Sequence, residues 1–120
     1  MHYYNAHSLC IESPIDLIFL KKSKIYQNPD VSIIEKKGLI DLKRSGLLNF
    51  EEGFINREGI GVFLVINGKE IYFEKYDDCS FEDFVKTILH QPLAYILYQR
   101  RRFVLHAASL KINSNAFLLS

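Results

Sequence analysis

This chain of 120 residues contains no tryptophan, one methionine and only two cysteines. Cys10 and Cys79 are too few and too far apart in sequence for a zinc motif or a disulfide framework. Disulfides are also rare in proteins of the reducing cytoplasm. We therefore expect both cysteines to be reduced structural thiols.

An excess of charge of either sign is also missing. Lysine and arginine total 15 and aspartate and glutamate total 14, which gives a net charge of +1. A nucleic-acid surface usually carries a clear basic excess with interleaved exposed aromatic residues. The densest basic run, Arg100-Arg101-Arg102, is therefore predicted to be a solvated helix end, and no nucleic-acid partner is expected.

Long hydrophobic runs are absent from the sequence. The longest run without aspartate, glutamate, lysine or arginine extends over 87–99, well short of the roughly 20 apolar residues that a membrane helix needs. Residues 1–7 lack the basic and apolar regions of a signal peptide. With 48% apolar and 24% charged residues, the composition is typical of a globular chain. We expect one cytoplasmic domain over residues 1–120, with no membrane contact.

Several short segments of the first half predict β-strands. Residues 3–11 alternate weakly, and Ser13-Pro14 ends the pattern because proline cannot donate to a strand ladder. Residues 31–35 form a short apolar, β-branched segment. Residues 15–20 fit either a strand or one helical turn, because periodicity does not decide for so short a run. Residues 37–53 show no sustained period.

The clearest local signal is a β-hairpin over 60–76. Asn67-Gly68 supplies the two positive-φ residues of a type I′ turn. A two-residue loop pairs residue 66 with residue 69 across the hairpin. That register places four apolar side chains on one face: Val62, Leu64, Ile71 and Phe73.

An amphipathic helix is predicted after the hairpin. Ser80 is an N-cap candidate, and Asp83 three residues later resembles a capping box. Apolar residues then recur at helical spacing: Phe81, Phe84, Val85, Ile88, Leu89, Leu93, Ile96 and Leu97. Because Pro92 interrupts this stripe, we expect a kinked helix or a closely joined helix pair over about 81–102.

The last segment predicts a second hairpin over about 103–119. Two apolar runs flank a turn at Asn113-Ser114-Asn115. The sequence thus indicates an α+β fold with a mainly antiparallel sheet, one helical element and this C-terminal β-hairpin. A β-rich leader would cover 1–80, and the helix with the final hairpin would cover 81–120.

The same segment carries a family resemblance. Leu105-His106-Ala107-Ala108, then Leu110-Lys111-Ile112, a polar turn and Ala116-Phe117-Leu118-Leu119 resemble the approach to the catalytic domain of HPr kinase/phosphorylase-related serine kinases. Their nucleotide-binding domain is of the phosphoenolpyruvate-carboxykinase type. In that family, a strand with Leu-His-Ala leads through a small loop to an apolar strand and then to a Gly-rich P-loop. The motif resemblance covers 103–120, and a looser similarity of element order covers 54–120.

The resemblance implies a role for one residue of this chain, whereas several catalytic groups of the family are missing from it. His106 matches the strand histidine that lies near the transferred phosphate, where an imidazole can donate a hydrogen bond or carry a proton. The alternative for His106 is a core histidine bonded to a backbone carbonyl. The family's P-loop glycines, lysine and hydroxyl, and its metal-binding acids, have no counterpart in this sequence.

Phosphoryl transfer depends on those missing groups and on Mg²⁺. We therefore expect the chain to be a non-catalytic N-terminal portion, with ATP and Mg²⁺ implied only for an intact family member. A truncated chain, a degenerate gene product and one half of a split protein remain open as explanations, as does the substrate.

Two other functions are open at this stage. An apolar final strand over 116–119 would expose an unpaired edge, which favours a stand-alone binding module or a homo-oligomer. A small enzyme would need a nucleophile–base set or a metal cluster. Asp77-Asp78 has no further ligands at suitable spacing, and Cys79 has no identifiable histidine or acid partner.

Overall fold

The computed structural model describes residues 1–23, 28–40, 46–49 and 51–114; for 46–49 and 102–114 it describes the backbone only. The described residues form seven strands and one helix. In chain order these elements are β1 (His2–Ala6), β2 (Leu9–Ser13), β3 (Val31–Glu35), β4 (Gly46–Asn49), β5 (Glu52–Arg57), β6 (Gly61–Ile66), β7 (Glu70–Lys75) and α1 (Phe81–Ser114).

The strands form one sheet in the order β1-β2-β3-β7-β6-β5-β4. Of the six pairings between described strands, four are antiparallel, whereas β3 runs parallel to both of its neighbours, β2 and β7. The predicted α+β class is confirmed, but the sheet is mixed. Its two parallel pairings join strands that are distant in sequence, so no local turn signal announces them.

The first strand pair corrects the prediction of a single strand over 3–11. The chain reverses at His7 and Ser8, which have φ angles of 52° and 62°. Ala6 therefore pairs with Leu9, and β1 and β2 form a tight hairpin. Residues 15–20 belong to neither a strand nor a helix, although Leu17 is fully buried.

The hairpin of β6 and β7 has the predicted turn but a different register. Asn67 and Gly68 have φ angles of 54° and 65°, and Lys69 N donates to Ile66 O at 3.0 Å. However, Ile66 pairs with Glu70, one residue later than predicted. Successive side chains of a strand point to opposite faces of the sheet. A shift of one residue therefore gives every β6 residue a different partner on β7, and the side chains that share a face also change.

Phe63 consequently lies opposite Phe73, on the face that α1 covers. Phe84 of α1 contacts both rings, with centroid distances of 5.4 Å to Phe63 and 5.2 Å to Phe73. Val62 lies on the opposite face, where it packs with Leu39 and Phe54. The predicted apolar face that joined Val62 to Phe73 is therefore wrong.

Helix α1 begins as predicted. Asp83 N donates to Ser80 Oγ at 3.2 Å, which satisfies one of the free amides of the first turn. The predicted apolar stripe faces the sheet, with five of its members buried: Phe84, Val85, Ile88, Leu93 and Ile96. Burial of such a stripe is the main source of a helix's stability in a protein.

The end of α1 corrects the predictions for the C-terminal part. One continuous helix contains Pro92 and extends to Ser114, so neither a helix end near residue 102 nor a strand over 103–112 is present. The sequence after Pro92 contains no glycine or proline before Ser114 that would stop the helix, and leucine and alanine there favour it. Residues 115–120, the rest of the predicted hairpin, lie outside the described residues.

Candidate functional site: the helix–hairpin junction

The side chain of Gln99 connects α1 to the β6–β7 hairpin. It is fully buried, although the predicted stripe treated only apolar residues as core. Its Oε1 accepts a hydrogen bond from Gly68 N at 2.7 Å, and its Nε2 donates to Val65 O at 3.0 Å. The amide thus satisfies one donor and one acceptor of the hairpin that water does not reach.

Arg100 adds a second connection to the same turn. Its Nη1 donates to Gly68 O at 2.9 Å. The backbone of α1 also approaches closely, since a Cβ added to Gly68 would lie 2.7 Å from Arg100 Cγ and 3.2 Å from Arg100 N. We call Gln99, Arg100 and the Asn67-Gly68 turn the turn clamp. It fixes α1 to the sheet immediately before residues 101–114.

Arg100 therefore departs from the prediction for the three arginines. Its guanidinium is a structural donor inside the helix rather than a solvated group at a helix end. Arg101 is exposed, as predicted for the run, and the side chain of Arg102 lies outside the described residues. The described part of this run offers one exposed cation, Arg101, and not a basic cluster.

The predicted site residue His106 lies in α1, four residues beyond the last arginine. The resemblance implies a strand at this position, so the backbone differs from that expectation. The side chain of His106 lies outside the described residues, and its role near a phosphate stays a prediction.

The two cysteines are free and buried. Cys79 Sγ donates to Ser80 O at 3.3 Å, next to the start of α1. Asp77 and Asp78 precede that start and are exposed. Among the residues that the structure describes, no three histidine, cysteine or acidic side chains gather as a metal site would require.

The pKa values of two tyrosines are raised, and the hydroxyl group of each makes a hydrogen bond within the fold. Burial is the largest cause that raises the pKa of Tyr4, whose hydroxyl donates to Asp16 Oδ1 at 2.9 Å and accepts from Leu17 N at 2.8 Å. The Tyr72 hydroxyl donates to Glu70 Oε2 at 2.5 Å, and this hydrogen bond is the main cause that raises the pKa of Tyr72. Both phenols stay protonated as donors, which anchors the neighbouring segments.

Within the described part of the chain, no helix has the length and hydrophobicity to cross a membrane. Comparison with protein-family models, with curated proteins and with solved structures found no match to this chain. The function must therefore be argued from the residues and the geometry.

Sequence reasoning missed Gln99, although a signal was present. Gln99 lies three residues after the buried Ile96, in the same phase as the apolar stripe. A polar residue in a buried phase needs a hydrogen-bond partner, which directs attention to the nearest turn. The closeness of Gly68 to Arg100 had no such signal, because it depends on how α1 crosses the hairpin.

Proposed function

We propose that this chain is the non-catalytic N-terminal portion of an HPr-kinase-related, ATP-dependent serine kinase-like protein. The observation that carries the proposal is the sequence Leu105-His106-Ala107-Ala108 with the polar residues 113–115 and the apolar run after them. An Asn-Gly hairpin and the amphipathic first part of α1 precede it, and this order supports the same interpretation. The role of this chain would be to scaffold the catalytic domain and present its substrate.

The turn clamp suggests how such a scaffold acts. It ties residues 99 and 100 to the hairpin through three hydrogen bonds, so the direction of the chain is set just before the segment that carries the resemblance. In the intact protein, that segment would lead into the nucleotide-binding domain. Its reaction would be phosphorylation of a serine hydroxyl on a protein or small molecule, with ATP and Mg²⁺ bound outside this chain.

The proposal requires a different backbone at residues 103–114 in the intact protein. The resemblance implies a strand there, whereas α1 is helical to Ser114. A strand needs a neighbour to satisfy its amides and carbonyls. The nucleotide-binding domain would supply that neighbour, and without it a helix satisfies the same groups locally.

The first test is the coding DNA that follows codon 120. We expect a Gly-rich stretch that ends in Gly-Lys-Ser or Gly-Lys-Thr, in frame or after one frameshift, because this is the order of elements in the resembled family. Any other downstream sequence would contradict the proposal. An activity assay supplies a second test: the 120-residue chain should neither hydrolyse ATP·Mg²⁺ nor transfer its phosphoryl group, and either reaction would contradict its non-catalytic role.

The proposed role of His106 has its own test in a protein extended through the P-loop. His106→Ala should lower turnover, while His7→Asn, at the exposed β1–β2 turn, should leave turnover unchanged, because asparagine tolerates the positive φ at that position. Equal turnover of both variants and the unsubstituted protein would show that His106 has no part in phosphate chemistry.

A second proposal is a protein-binding module or homo-oligomer that uses residues 116–119 as an added strand. It rests on the apolar sequence Ala116-Phe117-Leu118-Leu119, which lies outside the described residues. Sedimentation at several concentrations tests it. A dimer that becomes monomeric when these four residues are replaced by serine would support the proposal, and a monomer at all concentrations would contradict it.

A further inference from the structure

A cavity beside the middle of α1 has a cationic lining. It has a volume of 390 Å³ and is lined by Arg57, Lys86, Thr87, His90 and Gln91. Four of these residues come from α1 at positions 86, 87, 90 and 91, and a spacing of four residues places side chains on one face of a helix. Arg57, the last residue of β5, provides the other wall.

The residues that line the cavity differ in burial and in the hydrogen-bond donors that they can offer a ligand. Thr87 and Gln91 are partly buried, while Arg57, Lys86 and His90 are exposed. The Thr87 hydroxyl donates to Asp83 O at 2.9 Å, so it can offer an anion no proton. The donors that remain for a ligand are the guanidinium, the ammonium, the imidazole and the Gln91 amide.

Two of these side chains are not already used by the fold. The side chains of Arg57 and His90 make no hydrogen bond or ion pair with any residue that the structure describes. Lys86 pairs with Glu82 at 3.4 Å, but both side chains are about three-fifths exposed. Such an exposed helical pair is weak, and so is the cation–π contact of the Lys86 ammonium with the exposed Phe19 ring, 5.6 Å from the ring centroid. Neither contact holds the ammonium away from a ligand.

The nearby acids are not among the described residues that line this cavity. Glu82 lies four residues before Lys86, one turn toward the start of α1. Glu58 and Asp78 line a different cavity, with Asn56, Gly59 and Tyr76. Among the residues that the structure describes, none with a carboxylate lines the cavity beside α1.

We propose that this cavity is a binding site for a phosphate group. Arginine recognises phosphate through paired N–H donors, and Arg57 with Lys86 supplies two positive charges for the double negative charge of a phosphate group. The volume lies within the roughly 300–1,000 Å³ of small-molecule sites, and it is larger than one phosphate group needs. The ligand is accordingly a phosphate group carried on a small organic molecule, of which O-phosphoserine is the simplest probe. This site rests on residues 57–91 and is independent of the function proposed above.

Titration followed by NMR tests the site on the full chain, with inorganic phosphate and O-phosphoserine in separate arms at constant ionic strength. We expect saturable shifts of the backbone amides of residues 57 and 86–91 with both probes. Tighter binding of O-phosphoserine would assign the site to a phosphate monoester, and equal or tighter binding of inorganic phosphate would assign it to the free ion. If neither inorganic phosphate nor O-phosphoserine gives saturable shifts of these amides, the proposal is wrong.

Matched variants separate a built site from general attraction. Arg57→Gln should weaken binding by about tenfold or more, because it removes charge-assisted hydrogen bonds. Arg101→Gln removes the same charge from an exposed position outside the cavity and should change the affinity less than about twofold. Equal losses in the two variants would show that only net charge matters and would overturn the proposal. A thermal melt of each variant confirms that the fold is retained.

Discussion

Gln99 of the helix satisfies two backbone groups of one hairpin, accepting from Gly68 N at 2.7 Å and donating to Val65 O at 3.0 Å. Gln99 and Val65 are fully buried, so neither hydrogen bond can be replaced by one to water. A side chain that is polar and yet fully buried usually makes such a specific contact. Together with the hydrogen bond from Arg100 to Gly68 O, this amide therefore holds α1 against the β6–β7 turn.

The first prediction concerns the loss of that amide. Gln99→Met keeps the side-chain length but leaves Gly68 N without its acceptor and removes one donor from Val65 O, which is also paired with β5. We expect the free energy of unfolding to fall by about 1–3 kcal/mol, the cost of one orphaned buried donor. Urea denaturation followed by circular dichroism measures the change.

Gln91→Met is the matched control for this prediction. Gln91 is partly buried on the same helix, and its side chain makes no hydrogen bond with the described residues. Its replacement should change the free energy of unfolding by less than about 0.5 kcal/mol. If both variants unfold at the same urea concentration, the Gln99 amide does not hold the hairpin.

The second prediction separates two costs at Gly68. In Gly68→Ala, the φ of 65° strains any L residue, and the new Cβ would also lie 2.7 Å from Arg100 Cγ. Gly59→Ala has the first cost alone, because its φ is 77° and nothing lies within 4 Å of the added Cβ. We expect about 1–2 kcal/mol of destabilisation at Gly59 and a larger loss at Gly68.

Chemical denaturation of both alanine variants checks this difference. Arg100→Ala combined with Gly68→Ala should recover part of the excess, because the side-chain clash disappears. Equal destabilisation in Gly68→Ala and Gly59→Ala would mean that the close approach of α1 to the turn adds nothing to the cost of the Gly68 substitution.

Local signals predicted those parts of the fold that local chemistry decides. Asn67-Gly68 indicates its turn because both residues accept positive φ, and Ser80 indicates its helix start because its hydroxyl can cap a free amide. The register of the same hairpin was not predictable from the turn. The single extra residue on the β7 side follows from packing, which brings Phe63 and Phe73 together beneath Phe84.

Non-local relationships had no counterpart in the sequence pattern. The parallel pairing of β3 with β2 and β7 depends on how distant segments meet, and no turn residue specifies it. The segment 103–114 shows a different difficulty, because a short apolar run fits a strand and a helix equally well. Gln99 lay between these cases: its phase was readable, but its partner Gly68 was not.

The third prediction follows from the buried hydroxyl of Tyr4. Burial raises the pKa of Tyr4 in the folded chain, so the folded state holds this proton to higher pH than the unfolded state does. The associated stability is complete below the unfolded value near pH 10 and is lost as the pH rises from there toward the raised folded pKa. We expect the free energy of unfolding to fall with pH above about 10.

Tyr4→Phe tests this assignment. At neutral pH it should cost about 1–3 kcal/mol, because Leu17 N loses its buried acceptor. Above pH 10 its stability should depend less on pH than that of the unsubstituted chain. Tyr72→Phe is the comparison: the pKa of Tyr72 is also raised, yet the residue is only partly buried, so the cost at neutral pH should be smaller. An unchanged alkaline slope in Tyr4→Phe would contradict the role of this phenol.

The fourth prediction concerns the β1–β2 turn at His7-Ser8, which the sequence pattern did not predict. His7 and Ser8 join β1 to β2 with φ angles of 52° and 62°, the geometry that elsewhere favours Asn-Gly. The backbone strain arises from the Cβ atoms, which crowd the following carbonyl in this region. Ser8 is exposed at the turn, so its replacement disturbs no packing.

Ser8→Gly should therefore raise the free energy of unfolding by about 0.5–1 kcal/mol, since removing the strain outweighs the greater freedom of glycine in the unfolded chain. Ser8→Ala keeps the Cβ and should give no gain, so it controls for loss of the hydroxyl. Thermal and urea denaturation of the two variants provide the measurement. A gain in Ser8→Ala equal to that in Ser8→Gly would assign the effect to the hydroxyl and not to the left-handed backbone.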